Sequence, residues 1–173
     1  MSPVEPLLRI PVGVVVERRK AGSPWAEVAW RAVAVLAGLP EAAAWTPLTG
    51  GGDAMRFYAG AAEIACFRSE TDNYRRNLAS GAPLLWVALQ ATGGEPPYEI
   101  AAVTADPAEG EALTEAGDAL VDTVPMPEPL GRAIGAFVAE YHVERPFEKR
   151  VRDRAHPEAM ASRGRHPGKL DER

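Results

Sequence analysis

Glu63-Ile64-Ala65-Cys66-Phe67-Arg68, the segment Ser69 to Leu78, and Pro83-Leu84-Leu85-Trp86-Val87-Ala88-Leu89-Gln90 form the stretch on which the reading of the fold turns. It reads as strand, short helix, strand. The first run alternates large apolar with small or polar residues, and the last is a nearly continuous apolar run of strand length, which points to burial on both faces. Between them Ser69 can cap a helix, Asp72 suits its first turn and Gly81 its end. The one cysteine of the chain, Cys66, lies mid-strand and reads as a small core residue.

Working outward, Ile10 to Arg18 is rich in β-branched residues and gives a first strand. Val28 to Leu36 alternates well enough to be a strand despite its alanines, and Ala44 to Leu48, with Pro47 inside it, is a short edge strand. Met55 to Gly60 is a further strand, reached through the loop Thr49-Gly50-Gly51-Gly52-Asp53. No Lys-Ser/Thr follows those glycines, so a plain loop is favoured over a phosphate cradle.

Downstream, Pro83 to Gln90 and Tyr98 to Thr104 form a hairpin. Asp106-Pro107-Ala108-Glu109 opens a helix that should stop at Gly117, because Asp caps, Pro fits the first helical position and Gly ends the turn. Ala119 to Pro125 is a last strand. From Pro129 the residues Leu130, Ile134, Phe137, Val138 and Tyr141 make one apolar stripe at the helical period.

The fold class expected is α+β: a largely antiparallel, strongly bent sheet or small barrel of six or seven strands closed by a C-terminal amphipathic helix. By analogy this resembles the pleckstrin-homology-like superfold. An open mixed sheet with a strand-helix-strand crossover over residues 83–124 is the alternative. The domain would span residues 10–154, with an extension at 1–9 and a disordered tail at 155–173.

The chain has 173 residues and a net charge of −5. Residues 144–173 carry nine Lys/Arg against six Asp/Glu, residues 1–143 ten against eighteen. An acidic body argues against nucleic acid as a partner. A single cysteine excludes an internal disulfide or a multi-cysteine metal site. No apolar run approaches the roughly 18 residues a membrane span needs, and the opening residues do not read as a secretory signal. A soluble cytoplasmic protein is expected, with no membrane partner and no cofactor.

The polar run supplies the candidate site: Arg68, Ser69, Thr71, Asp72, Tyr74, Arg75, Arg76 and Asn77. A helix N-terminus, two hydroxyls and three arginines could hold an anionic small molecule or a protein partner. A solvated helix with Asp72 and Arg76 paired at i, i+4 is the alternative. No catalytic residue and no metal ligand is assigned. His142 is expected to be a surface histidine at a helix C-terminus, and Lys149 to Arg154 a solvated helix end or a docking strip for an acidic partner.

Several phrases carry a resemblance: Pro11-Val12-Gly13-Val14-Val15-Val16-Glu17-Arg18-Arg19, Ser23-Pro24-Trp25, Ala29-Trp30-Arg31, Glu70 to Leu78, Val124-Pro125-Met126-Pro127 and Tyr141 to Phe147. Together they resemble an uncharacterised bacterial family, catalogued as a domain of unknown function. Its members are often encoded beside formate dehydrogenase and molybdenum-cofactor genes, and some carry a molybdopterin-guanine-dinucleotide biosynthesis label. The resemblance implies an accessory or binding protein that assists assembly or maturation of a formate-dehydrogenase-type molybdoenzyme. An enzyme or carrier acting on a phosphate-bearing ligand, a nucleotide or pterin, is the alternative.

Overall fold

Strand β1, Leu8–Lys20, is the hub of a computed structural model that describes residues 3–144. It pairs antiparallel with β2 (Val28–Ala37) on one side and β4 (Ala54–Cys66) on the other, and β3 (Thr46–Gly51) pairs outside β4. The order in this sheet is β2-β1-β4-β3. Bulges shift the register at Val14/Val15 against β4 and at Val15/Val16 against β2. β4 is one strand of 13 residues where two were expected. The register shift against β1 leaves Ala59 as the extra residue of β4, next to Gly60, whose φ of 134° suits glycine, and the strand continues through it.

The remaining strands make a second sheet, β6-β5-β7, from β5 (Leu84–Ala91), β6 (Tyr98–Thr104) and β7 (Leu120–Pro125). β5 and β6 form the expected hairpin, while β7 returns to the far side of β5 through helix α2 (Pro107–Ala116). The crossover weighed as the alternative is therefore present, within an antiparallel ladder. Helix α2 starts as its sequence dictates: the Asp106 carboxylate accepts from the Ala108 N–H at 2.9 Å, and Gly117 closes it at φ 72°.

The seven strands thus form two sheets, not one bent sheet, and no closed barrel is formed among the described residues. The reason lies at the junction between β4 and β5. A 3-10 turn (Arg68–Glu70) and helix α1 (Thr71–Ala79) intervene, and Asn77 on α1 anchors the second sheet itself. Its amide donates to Leu84 O (2.8 Å) and Ala105 O (2.9 Å) and accepts from Leu84 N–H (3.0 Å). The start of β5 and the residue after β6 are fixed to a helix, so β5 does not continue the ladder of β4. At the other edges the Ala32 N–H of β2 donates to the Asp122 carboxylate of β7 at 2.9 Å.

One core joins these parts: Val12, Val14, Val16, Ile64 and Cys66 from the first sheet, Leu85, Val87 and Leu89 from β5, and Tyr74 from α1. Helix α3 (Glu128–Tyr141) buries Leu130, Ile134, Phe137 and Val138, each worth about 1.5–3 kcal/mol on full burial. It lies on α1 instead of over a barrel mouth. Phe137 meets Tyr74 at 6.2 Å between ring centres, and Leu78 comes within reach of Gly131 and Gly135, one turn apart. The tail at 155–173, the 154 boundary and the strip Lys149 to Arg154 lie outside the described residues. Among those described, no helix is long and apolar enough to cross a membrane.

Helix α2 sits on Trp86 of β5 through Gly110, where an added Cβ would run into the indole. In an exposed helix Gly→Ala gains up to about 1 kcal/mol. Gly110→Ala is instead expected to lower stability by about 1–3 kcal/mol through overpacking, read from the urea midpoint at unchanged m-value.

Candidate functional site

The candidate run folds with its polar residues on two sides. Phe67 N–H donates to the Tyr74 hydroxyl at 3.0 Å, which holds the chain in a 3-10 turn before α1 begins. Helix α1 consequently starts one residue later than Ser69 capping requires. Glu70 occupies the N-cap without a side-chain capping bond, and the Ser69 hydroxyl donates to the Glu70 carboxylate at 3.0 Å. The expected Ser69 cap is therefore replaced by this local pair.

Thr71, Tyr74 and Asn77, at i, i+3 and i+6, are buried and engaged inside the protein. Burial raises the Tyr74 phenol above its ordinary value, so it stays protonated. The Thr71 hydroxyl donates to Arg68 O at 3.2 Å and stands 3.1 Å from His142 Nδ1. With the hydroxyl proton given to Arg68, the ring nitrogen is the donor in this contact. His142 is not a surface residue but a half-buried C-cap of α3 that ties its end to the start of α1. Its Nε2 is buried with no hydrogen-bond partner among the described residues.

The other side faces solvent. Asp72 pairs with Arg75 at 3.0 Å and Arg76 at 2.6 Å, and Asn73 donates to Glu70 at 3.1 Å. The Arg75 hydrogen bond, with the nearby guanidinium charges, holds the Asp72 carboxyl below its ordinary value. Arg68 and Ser69 are exposed at the preceding turn.

Between α1 and α2 lies an open groove of about 410 Å³. Leu84 and Trp86 of β5 form its floor, Asn73, Arg76 and Ser80 one wall, Pro107, Ala108 and Glu111 the other. Of the eight residues expected to bind, only Arg76 and Asn77 line it. Trp86, Ala108 and Glu111 were not anticipated, since α2 and β5 are brought beside α1 by the Asn77 bonds. Cys66 is fully buried, and burial pushes its thiol up to about 11, which keeps it an unreactive core group. Among the described residues, no group of three or more His, Cys, Asp or Glu could hold a metal ion.

A second cluster stands on the outer face of the first sheet. The Glu17 side chain, only 3% exposed, accepts from Arg19 (3.0 Å), Arg31 (3.4 Å) and Arg56 (3.2 Å), from β1, β2 and β4 respectively. Burial alone would raise this carboxyl. The Arg56 hydrogen bond and the charges of Arg19 and Arg31 outweigh it and hold the pKa below the ordinary value. Alternation along Val15, Glu17 and Arg19 puts the acid and one arginine on one face, but Arg31 and Arg56 join them only through a register that the sequence does not display.

Asn77→Ala is expected to lower stability by about 2–4 kcal/mol, because it strands three backbone groups at once. Chemical denaturation measures it, and a loss below that of an ordinary exposed helix residue would show that water replaces the amide. Because the folded pKa of Glu17 is depressed, its stabilisation is present above its ordinary value of 4.5 and is lost as pH falls through the lower folded value. Glu17→Gln should cost about 1–3 kcal/mol at pH 7, and the gap to wild type should narrow below about pH 4. Urea titrations at the two pH values check both the size and the sign.

The family described as a protein of unknown function, DUF3305, matches residues 11–151. No curated protein and no solved structure matches the chain. The match takes in β1 through α3, and with it the groove and the Glu17 cluster, so the chain belongs to the DUF3305 family of proteins of unknown function.

Proposed function

We propose that the protein is a non-enzymatic accessory factor that binds a protein partner through the groove between α1 and α2. The observation that carries this reading is the make-up of the groove: an apolar floor of Leu84 and Trp86 between walls that bear one cation, Arg76, and one anion, Glu111. A protein segment with an apolar anchor flanked by polar groups of both signs fits such walls, since the anchor displaces water from the floor while the rim sets register. The alternative, an enzyme or carrier holding a phosphate-bearing ligand on residues 68–77, has less support. Asp72 already binds Arg75 and Arg76, Glu111 faces the groove, and Thr71, Tyr74 and Asn77 are committed to internal bonds.

Assistance in assembling or maturing a formate-dehydrogenase-type molybdoenzyme is the role that the family resemblance adds to this proposal, and the cytoplasm is the compartment it implies. The test is co-purification of the tagged protein from its native host, followed by affinity measurement with the purified partner. Ala108→Arg, at an exposed rim position, is expected to weaken binding about tenfold or more without unfolding the chain. A stoichiometric partner that binds this variant as tightly as wild type would remove the groove from consideration. A tightly held nucleotide or pterin in place of a protein would favour the alternative.

A further inference from the structure

Three guanidinium groups from three neighbouring strands converge on one carboxylate, and one carboxylate cannot neutralise them. We propose that Arg19, Arg31 and Arg56 form a binding site for a multiply charged oxyanion of the phosphate or pyrophosphate type, with Glu17 as the positioning residue beneath it.

The argument starts from the acid. Glu17 is 3% exposed, and both of its oxygens are taken: Oε1 by Arg19 and Arg31, Oε2 by Arg56. An incoming cation would meet three guanidinium groups around that carboxylate and be repelled. The arginines are different, for their side chains remain 58%, 57% and 52% exposed, and each guanidinium keeps N–H donors that Glu17 does not use. Three positive charges over one negative leave an excess of two, drawn within a few ångströms of each other by the shared acceptor. A pair that served only to hold the strands together would be complete with one arginine, and the additional ones repel each other. A dianionic group above the carboxylate removes that repulsion and satisfies the outward donors in the bidentate manner that guanidinium favours.

The surroundings leave the position open. The cross-strand neighbours of Arg19 are Ala29 and Ala54, which add neither bulk nor a second acid. On this face Arg19, Arg31 and Arg56 surround the one carboxylate of Glu17, whereas residues 77–131 contain nine Asp/Glu and no Lys or Arg. An anion approaching the molecule is thus repelled from the second sheet and α2 and drawn to this face.

The experiment is a titration of the full-length protein with inorganic pyrophosphate at a constant ionic strength of about 0.15 M. It is followed by calorimetry and by the arginine Nε–Hε resonances. Saturable binding that shifts Arg19 and Arg56 is expected. Arg19→Ala/Arg56→Ala should weaken it about tenfold or more, while Arg75→Ala/Arg76→Ala on α1 leaves it unchanged. If the first double variant does not fold, Arg31→Ala, at the longest of the three contacts, is read in its place and is expected to weaken binding several-fold. Signals that drift without saturating, an equal loss in the α1 variant, or unchanged affinity in Arg31→Ala would overturn the proposal. A nucleoside diphosphate titrated in parallel separates the two sources of the group. Affinity at least equal to pyrophosphate assigns the site to an esterified phosphate, and weaker affinity assigns it to the free anion.

Discussion

The rest of the structure depends on the burial of β1 on both faces from Val12 to Glu17. Val12, Val14 and Val16 face the common core, and the intervening Gly13, Val15 and Glu17 face the other way. That second face cannot be left to water either. Tyr58, Leu36 and Pro40 close over Gly13, where a side chain would collide with the tyrosine ring. At the other end the closure is made of charge, because the Glu17 carboxylate is buried among guanidinium groups that offset the cost of removing it from water. A strand so enclosed needs partners on both sides, which places β2 and β4 where they are and makes β4 as long as β1.

The second half of the chain is organised by one side chain. Asn77 turns a helix into the anchor for two strand ends, and this separates the sheets and sets α1 beside α2. The groove follows from that placement. Its floor is Trp86, which α2 overlies because Gly110 lets the helix come down onto the ring. The contact of α1 with α3 differs: Leu78 lies beside Gly131 and Gly135 at distances where a methyl group would make ordinary contact, so alanine would fit at either position. A glycine decides how near α2 comes to β5, and the amide of Asn77 decides where α1 stands.

Elements whose signals are local were legible in the sequence. Asp106, Pro107 and Gly117 bound α2 by their own chemistry, and the stripe from Leu130 to Val138 is buried as its period requires. β-branched runs placed most strands to within a few residues. Helix α1 was harder, because its inward face is Thr71, Tyr74 and Asn77, and a search for apolar periodicity passes over a face made of polar residues. The division into two sheets was unreadable for a related reason: the amide of Asn77 looks like any exposed amide until its three backbone partners are brought to it. The burial of Glu17 is not legible because acids are ordinarily solvated, and two of its three arginines, Arg31 and Arg56, come from other strands.

The contact between Asp122 and the backbone of β2 has a bearing on the protein's behaviour in crowded solution. β2 is the outer strand of its sheet, and an unpaired N–H there is a template for a strand from another molecule. The Asp122 carboxylate takes up the Ala32 N–H near the bulge, so one position of the outer ladder is already occupied by a side chain from within the same chain. An intruding strand would have to displace that side chain to add itself at that point, and the interruption breaks the flat, continuous edge on which fibrillar stacking depends.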